Sequence, residues 1–408
     1  MNCQLLQQAI AQNQQLTESI QQQLNQIIET GQASKNQLQQ LENSLAEALA
    51  QSEQSLTNFA PDFKEAFNFL KTYEYFYKIE GFGDDYVNSI DTTLQLANGD
   101  ILAAGKHGET RLLQPQPDGS YKYSDKIEGF DRDIYTTLRL ADGNILVTGG
   151  KGETRLLQPQ PDGSYKYSDK IKGFNDRYSN SIDTTLQLAN GDILAAGAMG
   201  ETRLLQPQQD GSYKYSDKIE GFGDDIYTTL QLDDGNILVA GKHGETRLLQ
   251  PQQDGSYKYS DKIEGFNNRA LTTLQLADGR VLVAGVEGET RLLQPQQDGS
   301  YKYSDKIEGF GDKSIKYIDT TLLLPDGNIL VAGAMGETRL LQPQQDGNYK
   351  YSDEIKGFGD NTINAINTTL LLPDGNILVA GDQGETRLLQ PLALSSQDIR
   401  DRAEEILG

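Results

Sequence analysis

Residues capable of catalysis are scarce in this chain. Its 408 residues include two histidines, His107 and His243, a single cysteine, Cys3, and no tryptophan. One cysteine excludes an intramolecular disulfide and a cysteine-based zinc or iron–sulfur site. No Ser/His/Asp set, phosphate-binding glycine loop or HExxH motif is present. Active sites need a singular cluster of perturbed groups. The sequence therefore predicts a non-enzymatic protein with no metal and no cofactor.

The charged pair Glu109 and Arg111 is the first repeated feature with chemical potential. The string Gly-Glu-Thr-Arg-Leu-Leu-Gln that contains it occurs seven times. Residues two apart lie on one face of a strand, so the arginines could bind anions or pair with the glutamates. Because all seven copies are identical, we favour a structural role and expect ion pairs between neighbouring units.

Acidic residues precede another repeated strand and could line an opening. Asp91, Asp183 and Asp319 occupy equivalent places, and Asn367 stands in the fourth. Oxygen-rich rings can hold calcium. The remaining copies carry other residues there, which favours hydration of a channel mouth over a metal site; these residues are Tyr135, Tyr227 and Leu271. His107 and His243 lie in distant units and are not expected to share a zinc ion.

The elements that position these residues follow from the repeat. Successive copies are 44 or 48 residues apart and begin at Gly108, Gly152, Gly200, Gly244, Gly288, Gly336 and Gly384. This spacing is typical of a unit of four antiparallel strands.

Each unit divides into four predicted strands. Residues 92–96 alternate with period two, as half-buried strands do, and Asn98-Gly99 predicts a type I′ hairpin turn. Residues 236–241 represent a second strand that is apolar on both faces. The third strand carries the Glu-Thr-Arg-Leu-Leu-Gln string. Residues 121–127 alternate aromatic and charged side chains, which predicts an exposed outer edge.

The two ends of the array indicate closure into a ring. The chain enters through residues 73–82, which read as a fourth strand, and the last unit ends after Gln390 with only three strands. A one-plus-three last unit would supply the missing strand. An open solenoid is the rival, and it would need atypical polar units at both ends.

The hairpin Asp-Gly-Asn-Ile-Leu-Val-Ala-Gly at residues 234–241 and the unit length carry a family resemblance. Residues 73–391 resemble the short WD-like propeller repeats of bacterial proteins with recently amplified blades. The resemblance implies a mainly β fold, a seven-bladed propeller of four-stranded antiparallel blades. It also implies a binding platform.

Differences between the copies point to a candidate binding surface. A dipeptide between the second and third strands varies, and so does the segment that joins one blade to the next. Antiparallel strands place both loops on one face, which we call the variable rim, and loops on rigid scaffolds often carry recognition residues. Unselected drift of exposed loops is the alternative. The candidate binding residues are Lys106, His107, Lys151, Met199, Lys242, His243, Glu287, Met335, Asp382, Gln383, Tyr86, Arg132, Arg177, Tyr178, Arg269, Lys316 and Tyr317.

The flanking segments have a different composition. Residues 1–59 are rich in Gln and space apolar residues by three and four, as Leu6, Ile10, Leu24 and Ile27 illustrate. This pattern predicts a coiled coil that would oligomerise the protein, or a helical hairpin with its break at Gly31. Residues 60–72 predict an amphipathic connecting helix, and residues 392–408 predict a short C-terminal helix.

The net charge of −23 and a pI near 4.5 disfavour partners rich in phosphate. Nucleic-acid binding and anionic membranes both require clustered Lys and Arg. Without a signal peptide or an apolar run of membrane-spanning length, we predict a cytoplasmic protein, with secretion as an effector as an alternative. The favoured function is a scaffold that binds protein partners. A multivalent carbohydrate-binding propeller, a propeller hydrolase and a ring with little selected function are the alternatives.

Overall fold

The computed structural model describes residues 73–83, 88–174, 180–311, 315–344, 346–358 and 364–391. The helices predicted in residues 1–59, 60–72 and 392–408 lie outside these ranges.

Seven four-stranded antiparallel sheets form the blades of the described chain. The inner strands are Ile90–Gln95, Ile134–Arg139, Ile182–Gln187, Ile226–Gln231, Ala270–Gln275, Ile318–Leu323 and Ile366–Leu371. The second strands are Ile101–Gly105, Ile145–Gly149, Ile193–Gly197, Ile237–Gly241, Val281–Gly285, Ile329–Gly333 and Ile377–Gly381. The third strands are Thr110–Pro115, Thr154–Pro159, Thr202–Pro207, Thr246–Pro251, Thr290–Pro295, Thr338–Pro343 and Thr386–Pro391. The outer strands are Tyr121–Tyr123, Tyr165–Tyr167, Tyr213–Tyr215, Tyr257–Tyr259, Tyr301–Tyr303, Tyr349–Tyr351 and, in blade 7, Tyr73–Lys78.

The ring closes through its first strand, as predicted. Tyr73–Lys78 pairs antiparallel with Thr386–Pro391 and completes blade 7. A further closed set of contacts joins the inner strands. Threonine hydroxyls of adjacent inner strands hydrogen-bond across all seven junctions at 2.8–3.3 Å, including Thr93 with Thr368 between blades 1 and 7. The open-solenoid alternative is therefore wrong.

The hydrophobic core lies between the blades. Every second strand is buried along its whole length, because its two faces pack against the preceding and following blades. One such layer joins Leu102 and Leu112 of blade 1 to Ile145 and Leu157 of blade 2. Burial of apolar surface contributes about 25 cal/mol per Å², so adjacent blades stabilise one another.

The outer strands differ from the sequence prediction. They are shorter than predicted, and their second tyrosine is buried instead of lying on an exposed edge. The Tyr167 hydroxyl hydrogen-bonds Thr110 of the preceding blade at 2.8 Å, and the bond recurs at all seven junctions at 2.7–2.9 Å. A phenol hydroxyl needs such a partner when buried. The outer strand is thus a junction between blades.

The first hairpin of each blade has a different turn from the predicted type I′. In blade 1 the Gly99 N–H donates to the Leu96 carbonyl and the Leu96 N–H to the Asp100 carbonyl. Gly99 has φ +93°, whereas Asn98 is not in the positive-φ region. This is the three-residue loop in which a single glycine takes the left-handed position. Asn98 instead caps the turn, because its Oδ1 accepts the Asp100 N–H at 3.2 Å.

Candidate interaction surface

The seven variable dipeptides form tight turns with an unusual backbone. Four are 3₁₀ turns: Lys106–Gly108, Ala198–Gly200, Lys242–Gly244 and Ala334–Gly336. In every blade the second residue of the dipeptide has φ between 54° and 60°. These residues are His107, Lys151, Met199, His243, Glu287, Met335 and Gln383, and they are all the non-glycine positive-φ residues within the described ranges.

Two glycines create this geometry. Gly105 and Gly108 flank the dipeptide of blade 1, and a Cβ at either position would collide with the carbonyl oxygen of Ser89 or Phe130. The segment that joins one blade to the next therefore passes directly against the turn. The His107 N–H donates to Asp133 Oδ1 at 2.8 Å, which ties the turn of blade 1 to the start of blade 2.

The predicted placement of both variable loops on one face is confirmed. Isolated β-bridges join dipeptides to the segments that lead into the next blade, as between Gly150 and Ser181 and between Val286 and Tyr317. The Asp-Gly turns lie together at the opposite end, where the Tyr301 hydroxyl donates to Asp234 of the preceding blade. We call that end the constant rim.

At four of the seven positive-φ turns the second dipeptide side chain is exposed to solvent. Met199 is 59% exposed, a high value for an apolar residue. His107, Glu287, Arg132 and Arg269 are also exposed. Lys106 and His243 are exposed too, whereas Lys151, Lys242, Met335, Asp382, Gln383 and Lys316 are half-buried. Tyr86, Arg177 and Tyr178 lie outside the described residues.

The structure groups some candidate residues into chemically distinct sectors. Ile315 and Tyr317 are 46% and 43% exposed. The backbone of Tyr317 bridges to Val286 of blade 5, and its carbonyl accepts the Ala334 N–H of blade 6. Between blades 1 and 2, a depression of about 360 Å³ is lined by basic and acidic side chains: His107, Arg132, Lys151, Asp131 and Asp133. The rim thus offers an aromatic–aliphatic sector and a sector of mixed charge.

A third sector lies at blade 4, where charged side chains pair. Asp224 Oδ2 accepts a hydrogen bond from His243 Nδ1 at 2.8 Å, and Asp224 Oδ1 lies 3.2 Å from Lys242 Nζ. Burial raises the pKa of the Asp224 carboxyl, but the hydrogen bonds from His243 and Lys242 outweigh this effect, so the pKa is lowered. The pairing orients the imidazole outward. His243 and His107 stand in different blades and share no ligand.

The carboxylates at the start of the inner strands are half-buried at Asp91, Asp183 and Asp319. Burial raises the pKa of Asp91 to about 6 and those of Asp183 and Asp319 to about 7. Asp91 accepts hydrogen bonds from Ser89 Oγ at 2.7 Å and Asn367 Nδ2 at 3.1 Å. Sequence reasoning missed this network, because Asn367 meets blade 1 only through ring closure.

The repeated Glu–Arg pair lies within a blade, so the predicted ion pairs between blades are wrong. Arg155 Nε donates to Glu153 Oε1 at 2.7 Å, and Arg155 Nη1 donates to the carbonyl of Ser168 on the outer strand of the same blade. In blade 5, Glu289 also accepts the backbone N–H of Asn267 from the joining segment. The pair stabilises the strand and anchors the incoming chain.

The described ranges offer neither a metal site nor a membrane-spanning helix. No group of three His, Cys, Asp or Glu side chains there is arranged to hold a metal ion. None of the helices in the same ranges has the length and hydrophobicity needed to cross a bilayer.

Comparison with known proteins supports the fold. No protein-family model and no curated protein matches the sequence. Among solved structures, the WD40 β-propeller domain of Doa1 matches with a TM-score of 0.60 and 13% sequence identity, over 80% of this chain and 99% of that domain. At this identity the likeness shows the fold alone. The chain is therefore a mainly β, seven-bladed propeller with a WD40-like structural neighbour.

Proposed function

We propose that this protein is a non-enzymatic scaffold that binds protein partners through its variable rim. One observation carries the proposal: all seven rim turns place a non-glycine side chain at a left-handed backbone position. Such a position costs an ordinary L-residue about 1–2 kcal/mol. Glycine or asparagine would relieve this cost, yet neither occurs at any of the seven.

The chemistry of these side chains supports recognition over drift. Lys, His, Met, Glu and Gln occupy the seven positions, whereas the adjoining glycines do not change. Backbone strain of this kind clusters at active sites and ligand-binding sites. Met199, Ile315 and Tyr317 are exposed apolar groups suited to the centre of a protein interface. WD40-type propellers generally serve as interaction scaffolds, which favours the same function by analogy.

The experiment is an affinity capture from native lysate with a rim variant. All seven dipeptides are changed to Ala-Gly, which retains the Ala already found at Ala198 and Ala334 and supplies glycine where φ is positive. This variant should fold at least as well as the natural chain. Its control changes three exposed outer-strand lysines to Ala and removes as many lysines as the rim variant does: Lys122, Lys214 and Lys302.

The proposal predicts a partner that the natural chain and the lysine control retain and the rim variant loses. Melting curves of all three proteins exclude unfolding as the cause. Equal capture by the natural chain and the rim variant would show that the rim does not bind, and the proposal would be wrong.

A further inference from the structure

The junction between blades 7 and 1 breaks the symmetry of the propeller at the constant rim. The closing strand carries Phe76 and Tyr77 where the other six outer strands carry Ser and Asp, as at Ser124 and Asp125. Phe76 is 53% exposed and Tyr77 is 37% exposed. Their rings pack edge to face with centroids 5.4 Å apart. The pair forms an aromatic wall that occurs at no other junction of the described blades.

A groove of about 330 Å³ lies against this wall. It is also lined by Tyr121 and by the turn at Asp118 and Gly119 of blade 1, and by Asp374 of blade 7. Hydrogen bonds from Ser120 lower the pKa of Asp118, which is therefore ionised at neutral pH. The groove thus combines three aromatic rings with carboxylates. This combination attracts cations, because the faces of aromatic rings have a negative electrostatic potential and carboxylates carry a negative charge.

The equivalent groove between blades 5 and 6 is filled by the chain itself. Arg280 holds its guanidinium carbon 5.7 Å from the centre of the Tyr349 ring. Its Nε donates to Asp278 Oδ2 at 2.7 Å, and its Nη1 donates to the carbonyl of Gly347 at 2.7 Å. A guanidinium at this junction is therefore bound by a ring face, a carboxylate and a turn carbonyl.

The groove between blades 7 and 1 repeats this binding set without the arginine. Tyr121, Asp374 and Gly119 correspond to Tyr349, Asp278 and Gly347 in the repeat. Asn376 stands where blade 5 has Arg280, and its Nδ2 donates to Asp374 Oδ2 at 2.9 Å. The short amide satisfies part of the carboxylate but does not reach the tyrosine ring. The space that Arg280 fills in the other groove remains open.

We propose that the groove between blades 7 and 1 binds an arginine side chain of a partner peptide. The guanidinium would lie on Tyr121 and donate to Asp374 and the Gly119 carbonyl, as Arg280 does at its own junction. Phe76 and Tyr77 would cover the aliphatic part of the side chain. This site lies on the constant rim, so it is separate from the rim proposed above to bind protein partners.

Calorimetric titration with N-acetyl-arginine amide tests the proposal. The matched control ligand is N-acetyl-citrulline amide, which has the same shape and no charge. We expect the arginine compound to bind and the citrulline compound to bind at least about tenfold more weakly, since charge-assisted hydrogen bonds are the stronger kind. Equal binding of the two compounds would overturn the proposal.

Variants then place the bound arginine in the groove. Asn376→Arg should fill the groove as Arg280 does and abolish binding while the melting temperature is retained. Asp374→Asn should weaken binding about tenfold. Asp142→Asn removes the same charge from the corresponding turn of blade 2, where Tyr213 and Gly211 complete the same set but Ser168 and Asp169 replace the aromatic pair. This change should leave the affinity unchanged. Binding that survives in Asn376→Arg, or that Asp142→Asn weakens equally, would refute this site and indicate general attraction to an acidic surface.

Discussion

Replacing Met199 by glycine is expected to stabilise the propeller. Met199 has φ +58°, and its side chain is 59% exposed, so its removal forfeits little buried surface. Glycine adopts the left-handed conformation without the steric cost that methionine has there, which stabilises the folded state by about 1–2 kcal/mol. The greater freedom of glycine in the unfolded chain costs about 0.5–1 kcal/mol. We therefore expect a net gain of about 0.5–1 kcal/mol in the free energy of unfolding.

Two matched variants isolate the backbone effect. Met199→Ala removes the same side chain but keeps a Cβ at positive φ, so it should lie within about 0.5 kcal/mol of the natural protein. Gly200→Ala should lose more than about 2 kcal/mol, because its Cβ would collide with the carbonyl oxygen of Phe222 and its φ is +64°.

Equilibrium unfolding in guanidinium chloride, followed by far-ultraviolet circular dichroism, measures these differences. Glycine at the four exposed positions should add the single gains, since the turns lie on separate blades, for a total of about 2–4 kcal/mol; these positions are His107, Met199, His243 and Glu287. A Met199→Gly protein that is no more stable than Met199→Ala would refute the reasoning. The rim would then carry no backbone cost, and the main support for the proposed function would be lost.

Three further results are expected. Asp319→Asn should stabilise the protein at pH 8 but not at pH 4. Burial raises the pKa of Asp319 in the folded protein to about 7. The natural protein therefore loses stability as the pH rises from about 4 to 7, by at most about 4 kcal/mol, and the variant does not. Denaturant titrations across pH test this, and a difference independent of pH would contradict it. Tyr75→Ala in the closing strand should lower the free energy of unfolding by about 3 kcal/mol, as much as Tyr167→Ala. Both rings pack between blades, and both hydroxyls hydrogen-bond a threonine. A much smaller loss for Tyr75→Ala in unfolding experiments would mean that the closing strand detaches. Glu153→Gln should cost about 1–3 kcal/mol, since Arg155 loses its nearer and more buried carboxylate and keeps only Asp131. An unchanged melting temperature would argue against the Glu153–Arg155 pair as a stabilising element.

Much of the fold is predictable because the same strand pattern occurs in seven copies along the sequence. Copy length, alternation and the split of the last unit give blade number, strand order and closure. The turn type is less predictable, because Asn98-Gly99 suits both a two-residue and a three-residue loop. The pairing of Arg155 with Glu153 inside one blade was also not predicted. A spacing of two places the Glu and Arg side chains on one face of a strand, but it does not say whether they contact each other or the neighbouring blade.

The site was predictable in position but not in conformation. Variation between copies locates the rim, and alternating strands place it on one face. Nothing about Met199 or Lys151 signals a left-handed backbone, since such residues rarely adopt one. The signal lies in the glycines on either side, Gly197 and Gly200 in blade 3, which leave no space for a Cβ. The arginine groove was not predictable, because its walls come from opposite ends of the repeat.

Cross-linking of a captured partner tests most directly whether the variable rim binds. A lysine-reactive cross-linker can distinguish the variable rim from the outer strands. Lysines lie on the rim at Lys106, Lys151, Lys242 and Lys316, and on the outer strands at Lys122 and its five equivalents Lys166, Lys214, Lys258, Lys302 and Lys350. We expect mass spectrometry to find the partner joined to rim lysines. Cross-links confined to the outer-strand lysines would contradict it.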